Sequence, residues 1–291
     1  GSKLNKGTSM NTIQNKVVFI TGGGHGIGLS LGKVFAGHGA KVVLADIDEE
    51  RLNTAKALLA ESGFDVETVV CDVAKAESVK SAAEFTVERF GKVHIVINNA
   101  GVSLAGKPGS IPLEDWRWIV DINLMGVVYG VEVFVPLIKS HGEGGYIINT
   151  ASMAGHIAGP SMSPYHATKY AVVGYSESIR QDLQAENIGV SVLCPAWVRT
   201  DIHNAGINKP SLAQQSASDK KAFDPGVSGF AAVIESGIAP DALAQWVYEC
   251  MLAERFYIFS HPSMTQHIET RAGNIAADYS AIEEDGRFSE Y

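Results

Sequence analysis

The sequence predicts an α/β fold, a single domain built on a doubly wound parallel sheet of seven strands. From Lys16 onward, short apolar runs rich in β-branched residues alternate with longer stretches of helical spacing, the pattern of repeated β-α units. The runs VVFI, VVLA, IVI and YIIN are continuously apolar, as strands covered on both faces must be. A glycine cluster, TGGGHGIG, stands directly after the first run and opens the first helical stretch.

In chain order the strands are expected at Val17–Thr21, Lys41–Asp46, Asp65–Cys71, His94–Asn98, Gly145–Thr150, Gly189–Cys194 and Phe256–Phe259, with helices between them. Leu31, Val34 and Phe35 mark the apolar side of the first helix, and Ile119, Ile122 and Val127 that of a later one. The segment from Arg199 to Asp241 carries polar residues and prolines with little periodicity; so long an insertion in a compact domain is expected to be functional or mobile, and a substrate lid is expected at about 200–240. Beyond the last strand, Met264, Ile268, Ile275, Tyr279 and Ile282 recur at steps of three, four or seven, which predicts an amphipathic closing helix within a C-terminal extension of about 262–291. Gly1 to Ser9 are small, polar and basic and run into Met10, as an expression-tag remnant would, so the domain is taken as 10–291.

Composition narrows the function. Hydrophobic residues make up 46% of the 291 and charged residues 19%, enough apolar material for a packed core and no case for disorder. The formal charge of −9 disfavours nucleic acid and anionic lipid as partners. Cys71, Cys194 and Cys250 are isolated, without C-x-x-C spacing, which predicts buried thiols, no metal site and a cytoplasmic location. The most apolar stretch, Gly126 to Ile138, is interrupted by Glu132 and falls short of the ~20 residues of a membrane span.

The loop Gly22-Gly23-Gly24-His25-Gly26-Ile27-Gly28 is where a backbone without Cβ atoms can approach a pyrophosphate and where the amides and dipole of the following helix favour the anion. The strict G-x-G-x-x-G register is absent, and a tight strand-to-helix turn without a ligand is the plainer alternative. Asp46 ends the second strand, where a carboxylate can accept hydrogen bonds from both ribose hydroxyls of an adenosine and repels a 2′-phosphate. NAD is therefore favoured over NADP, although His25 and Arg51 offset part of that repulsion; a helix N-cap is the other use of such an aspartate. Asp72 and the run Asn98-Asn99-Ala100-Gly101 also fall at carboxyl ends of strands, the ligand-binding edge of open parallel sheets, or else serve as caps and turns.

Tyr165 and Lys169 stand one helical turn apart on the same face. A neighbouring ammonium and a cationic nicotinamide favour a phenolate, so the pair can act as a general acid/base, where otherwise it is an exposed helical pair. Ser152, just after a strand, can hold a substrate oxygen or cap a turn; Asn123, polar on an apolar helical background, can anchor a water feeding Lys169 or simply satisfy backbone.

In combination these motifs identify the chain as similar to the short-chain dehydrogenase/reductase family, in its standard-length, single-domain branch. TGGGHGIG answers to T-G-x-x-x-G-x-G and YHATK to Y-x-x-x-K, with Asp46, Asp72, NNAG, Asn123 and Ser152, thirteen residues before Tyr165, in the expected places. The likeness is strong from Lys16 to about Thr200. It implies a Rossmann-type fold, alcohol dehydrogenase chemistry and a tetrad in which Tyr165 exchanges the proton, Ser152 orients the substrate oxygen, Lys169 holds the ribose and lowers the tyrosine pKa, and Asn123 supports a proton relay. It also implies a cofactor site of Gly22, Gly26, Ile27, Gly28, Asp46, Asp72, Val73, Asn99, Ala100, Gly101, Tyr165, Lys169, Pro195, Val198 and Thr200. One departure is Ala196, where the family commonly has glycine after the proline, so the backbone beside the nicotinamide is expected to shift without loss of activity.

The expected partner is a small alcohol or ketone, without nucleic acid or membrane. Met153, Trp197 and Ile202 are the expected substrate contacts, with His156, Ile157 and Met162 beside the catalytic motifs and His203, Ile207, Leu212, Phe223 and Phe230 further along. Such a lining favours a bulky aromatic or apolar substrate, and the overall pattern looks closest to aryl alcohol Cα-dehydrogenases. Relatives imply a homo-oligomer, tetramer or dimer, through the helices of Trp116 to Pro136 and Ala167 to Leu183. The rivals are an NAD-binding sensor without turnover, expected to lack Tyr165 or Lys169; a nucleotide-sugar epimerase, expected to show G-x-x-G-x-x-G; and an enoyl reductase, expected to widen the Tyr-to-Lys spacing.

Overall fold

The first strand, β1 (Val17–Thr21), runs through the middle of the sheet between β2 (Lys41–Asp46) and β4 (Ile95–Asn98). β3 (Val66–Val70) forms the edge beyond β2, while β5 (Gly145–Thr150), β6 (Ile188–Cys194) and β7 (Tyr257–Phe259) continue from β4. All neighbours are parallel, in the order β3-β2-β1-β4-β5-β6-β7, in this computed structural model, which describes residues 12–196, 209–212 and 237–291. Three strands have the expected bounds. β3 is a residue shorter at each end because it is an edge strand whose Val70 is 51% exposed, and β4, β6 and β7 shift by one residue at their starts.

The helices are α1 (Gly26–Gly37), α2 (Glu49–Glu61), α3 (Ala76–Phe90), α4 (Leu113–Val120), α5 (Gly126–His141), α6 (Ser163–Ala185), α7 (Pro240–Leu252) and α8 (Thr265–Asp285). Side chains alternate across each strand. Val18, Ile20, Val42 and Leu44 pack with Leu31 and Phe35 of α1, Leu52 and Leu59 of α2, and Leu243 and Val247 of α7. Phe19, Val43 and Val96 pack on the opposite face with Val79 of α3, Phe134 and Ile138 of α5, and Val172 of α6; the Phe19 and Phe134 rings lie 4.5 Å apart. Each of these fully buried side chains contributes about 1.5–3 kcal/mol.

A π-helical turn, Asp121–Met125, joins α4 and α5, so that Leu113–His141 forms one apolar helical stretch of 29 residues. Length and composition alone would let it cross a membrane. Its residues Ile119, Val127, Val131, Phe134 and Ile138 are instead buried in the domain, which accounts for its hydropathy. α8 has the expected amphipathic spacing, yet Ile275, Tyr279 and Ile282 remain 49%, 69% and 47% exposed, so the stripe does not close onto its own core.

Crossovers leave β1 toward β2 and β4 toward β5, in opposite directions, so a crevice opens between the carboxyl ends of β1 and β4. This switch point is where open α/β sheets receive ligands.

Candidate active site

β1 ends at Thr21, and the glycine turn delivers the chain to the N-terminus of α1 at Gly26. Gly22 (φ 61°) and Gly26 (φ 57°) adopt the left-handed conformation that side chains resist. A Cβ on Gly28 would run into the carbonyl of Gly22, so this glycine lies behind the loop and lets it fold back on the helix. Thr21 Oγ1 accepts the amides of Asn99 (2.9 Å) and Ala100 (3.0 Å), fastening the ends of β1 and β4 together.

Asp46 is buried at the end of β2. Its Oδ2 accepts the Gly24 amide and its Oδ1 the Asp48 amide, both at 3.0 Å, which leaves lone pairs on each oxygen for hydroxyl donors. Burial pushes its pKa up, but His25 and the two amides outweigh burial and hold the carboxyl below its ordinary value. His25 Nδ1 stands 3.7 Å from Oδ2, beyond hydrogen-bond reach, so its effect is electrostatic. Asp72 accepts the Ala74 amide at 3.0 Å and turns the chain toward α3.

These groups line a cleft of about 1040 Å³ that continues to the other expected site residues: Ile27, Val73, Asn99, Ala100, Gly101, Ser152, Met153, Tyr165, Lys169 and Pro195 all face it. Its size and its acidic, glycine-rich end fit a dinucleotide. Val198, Thr200, Trp197, Ile202, His203, Ile207, Phe223 and Phe230 lie outside the described residues, as does the Leu212 side chain.

Ser152 leaves β5 with extended backbone; its Oγ accepts the Ala154 amide (3.0 Å) and lies 3.4 Å from the Pro195 carbonyl. Tyr165 and Lys169 project from the first turns of α6, with Lys169 Nζ 5.7 Å from the Tyr165 ring centre. Charge proximity alone predicts a lowered tyrosine pKa. Burial reverses the sign in the ligand-free protein and raises it, with a hydrogen bond from Ser152 opposing. Burial also lowers Lys169 to about 8, and among the described residues its ammonium has only the Thr150 carbonyl, at 3.4 Å, as hydrogen-bond partner. Lys169 thus has donors to spare for hydroxyl groups in the cleft.

Asn123 does not line the cleft. It sits in the π turn, accepting the Val102 amide (2.8 Å) and donating to the Val102 carbonyl (2.9 Å) and to Thr168 (3.1 Å). Its Oδ1 and Lys169 Nζ both stand beside Gly101, where a Cβ would meet them at 3.4 and 3.2 Å. Ala196, the departure from the family pattern, donates its amide to Ser260 at 2.9 Å.

The structure adds residues that sequence reasoning did not find. Ile157 and Met162 face the cleft as expected, whereas His156 is turned to Cys194 and the rings of Tyr257 and Phe259. His166 and Tyr170 join from α6, and α8 presents His267, Arg271, Asn274 and Ile275. The helical spacing of those four was readable; the direction α8 takes was not.

Among the described residues one cluster could suit a metal: His94, His141 and Glu143, with potential ligand atoms within 4.8 Å of one another. His94 Nδ1 accepts the Val17 amide at 3.1 Å, so in the neutral ring Nε2 keeps its proton and offers no lone pair. Lys92 already pairs with Glu143 at 2.6 Å. Burial lowers His94 to about 4, consistent with a neutral ring in this place.

Residues 16–211 match the short chain dehydrogenase family model. The chain is 36% identical over 277 residues to the CLA biosynthesis dehydrogenase/reductase of Lactiplantibacillus plantarum, covering 92% of this chain and 96% of that protein. It is 30% identical over 277 residues to the C alpha-dehydrogenase of Sphingobium sp. strain SYK-6, covering 95% and 90%. A crystal structure of a short chain dehydrogenase/reductase from Burkholderia phymatum in complex with NAD superposes with a TM-score of 0.85 at 36% identity, covering 91% of this chain and 96% of that one.

Proposed function

The chain belongs to the short-chain dehydrogenase/reductase family and is an oxidoreductase that uses a nicotinamide cofactor, and we propose that it interconverts a secondary alcohol and a ketone with NAD. The observation that carries this reading is the convergence of Ser152, Tyr165 and Lys169 on one cleft whose far end holds the glycine turn and Asp46.

In the oxidative direction the Tyr165 phenolate takes the hydroxyl proton, while the Ser152 hydroxyl donates to the substrate oxygen and fixes its place. Conversion of the alcohol to the ketone removes a proton, taken by Tyr165, and a hydride, for which the nicotinamide would be the acceptor. Lys169 offers its ammonium to ribose hydroxyls and favours the phenolate by its charge. Asn123 acts from behind, holding the Val102 segment and Thr168 so that Lys169 and Gly101 keep their spacing. Gly22, Gly26 and Ile27 would hold the pyrophosphate at the start of α1, with Asp72, Val73, Asn99, Ala100, Gly101 and Pro195 along the dinucleotide. Asp46 supports NAD over NADP, since an ionised carboxylate with free lone pairs accepts ribose hydroxyls and repels a 2′-phosphate.

Met153, Ile157, Met162 and Met264 around the catalytic end favour a bulky apolar or aromatic alcohol. A sensor without turnover has no need of the Tyr165–Lys169 pair in the cleft. The isolated buried thiols suit a cytoplasmic enzyme, and Tyr129, Val133 and Leu137 of α5 with Ile179 of α6 offer half-buried apolar surface for a dimer or tetramer, which gel filtration giving a monomer would refute. Absorbance at 340 nm with NAD or NADP and a panel of aromatic, steroidal, aliphatic and sugar alcohols tests the reaction class. Turnover with NAD on an apolar secondary alcohol is expected; measurable NAD binding without turnover on any alcohol would move the reading to a sensor.

A further inference from the structure

We propose that Arg271, with His267 and Asn274 beside it on α8, docks a carboxylate of the substrate, so that the enzyme prefers secondary alcohols or ketones carrying an acid group at the far end of an apolar skeleton. This rests on the dehydrogenase reading of the cleft.

Arg271, His267 and Asn274 are spaced three and four residues apart on α8 and all face the cleft. The acids of the same helix, Glu269, Asp278, Glu283, Glu284 and Asp285, do not. In a chain of net charge −9, the wall α8 gives to the cleft therefore carries a cation and no anion. Arg271 lies over the Tyr170 ring, 5.2 Å from its centre, and makes no ion pair among the described residues. Stacking on an aromatic face orients a guanidinium and leaves its planar set of N–H donors for a bidentate acceptor. Thr270, its neighbour, is spent on the Gln266 carbonyl at 2.8 Å, whereas among the described residues no hydrogen-bond partner occupies the donors of Arg271 and Asn274.

The placement along the cleft sets the kind of molecule. Tyr170 is five residues beyond Tyr165 on α6, a rise of about 7.5 Å. The cation thus lies over a ring of α6 other than that of the proton-exchanging residue. Ile157, Met162 and Met264 line the same cleft, which suits an apolar spacer between carbinol and carboxylate. The Lys169 ammonium also borders the cleft, but it is only 3% exposed and stands 5.7 Å from the Tyr165 ring centre.

The test is steady-state kinetics of the full chain with NAD on a series of aryl and alkyl secondary alcohols bearing a terminal carboxylate, each paired with its methyl ester, in wild type, Arg271→Gln, Arg271→Lys and Glu269→Gln. The wild type should favour acid over ester through KM, and Arg271→Gln should lower kcat/KM for the acids about 10- to 100-fold with kcat little changed. Arg271→Lys should recover part of this, and Glu269→Gln should keep the acid-to-ester ratio of wild type. Equal use of acid and ester, or an Arg271→Gln loss equal for both, overturns the proposal and leaves the dehydrogenase standing. No turnover of either series overturns the dehydrogenase reading instead; calorimetric binding of the acids to wild type and Arg271→Gln, with NADH present, then decides the carboxylate site, equal binding to both counting against it.

Discussion

Lys169 Nζ stands 5.7 Å from the centre of the Tyr165 ring, with one helical turn between the two residues, and Lys169 is only 3% exposed. Lys169 is thereby kept away from water while Tyr165 borders the cleft, and burial pushes each toward its neutral form: the tyrosine up, the lysine down to about 8. A bound dinucleotide would change that balance by giving the ammonium hydroxyl partners.

The sign of the lysine shift has a thermodynamic consequence. Its folded pKa lies below the 10.5 of an unperturbed lysine, so between about 8 and 10.5 the unfolded chain binds the extra proton. The cost of the buried amine is full below pH 8 and disappears as pH rises toward 10.5. Lys169→Met, which removes it, should raise the Tm of the ligand-free protein most at pH 7 and progressively less from pH 8 to 10. A Tm difference that grows with pH over that window would contradict the assignment.

Gly28 has no room for a side chain against the Gly22 carbonyl. Gly28→Ala must open the loop, at about 1–3 kcal/mol of stability, and weaken dinucleotide binding. Chemical denaturation and NADH fluorescence titration would register both effects; a variant as stable and as tightly binding as wild type would show that the loop gives way without cost.

The proposed preference for NAD over NADP rests on Asp46. Asp46→Ala removes hydrogen bonds to an ionised acceptor and the repulsion of a 2′-phosphate, so the ratio of kcat/KM for NAD over NADP should fall about 10- to 100-fold. Because Asp46 is held below its ordinary pKa, the wild-type preference should persist from neutral pH down through pH 5. A preference that fades between pH 7 and pH 5 would contradict an Asp46 carboxylate held below its ordinary pKa.

Phe134 touches Phe19 across one face of the sheet at 4.5 Å and is fully buried. Phe134→Ala should cost about 3–5 kcal/mol, read as a lowered denaturation midpoint. A smaller loss would mean that α5 collapses into the space.

The strands were legible because apolar, β-branched runs in a doubly covered sheet leave little ambiguity; some ends differ by one residue, as where the edge strand β3 stops at Val66 and Val70 although Asp65 and Cys71 still hydrogen-bond to β2. The glycine turn, Asp46, Ser152, Tyr165 and Lys169 were legible from spacing. That Gly28 and Asn123 stand behind the cleft was not, since burial depth leaves no mark on spacing. The π turn at Asp121–Met125 was hidden for the same reason: its residues carry ordinary helical periodicity. Nothing in the helical spacing of the C-terminal segment singles out Arg271; the path of α8 past Tyr170 brings it to the cleft.

The most direct test of the chemistry is turnover and cofactor binding measured side by side in Tyr165→Phe. The variant should bind NADH within a few-fold of wild type while kcat falls by about 10²–10⁴, since it keeps the ring and loses the proton-exchanging hydroxyl. Turnover close to wild type in Tyr165→Phe would remove Tyr165 as the general acid/base and with it the reaction assigned to this cleft.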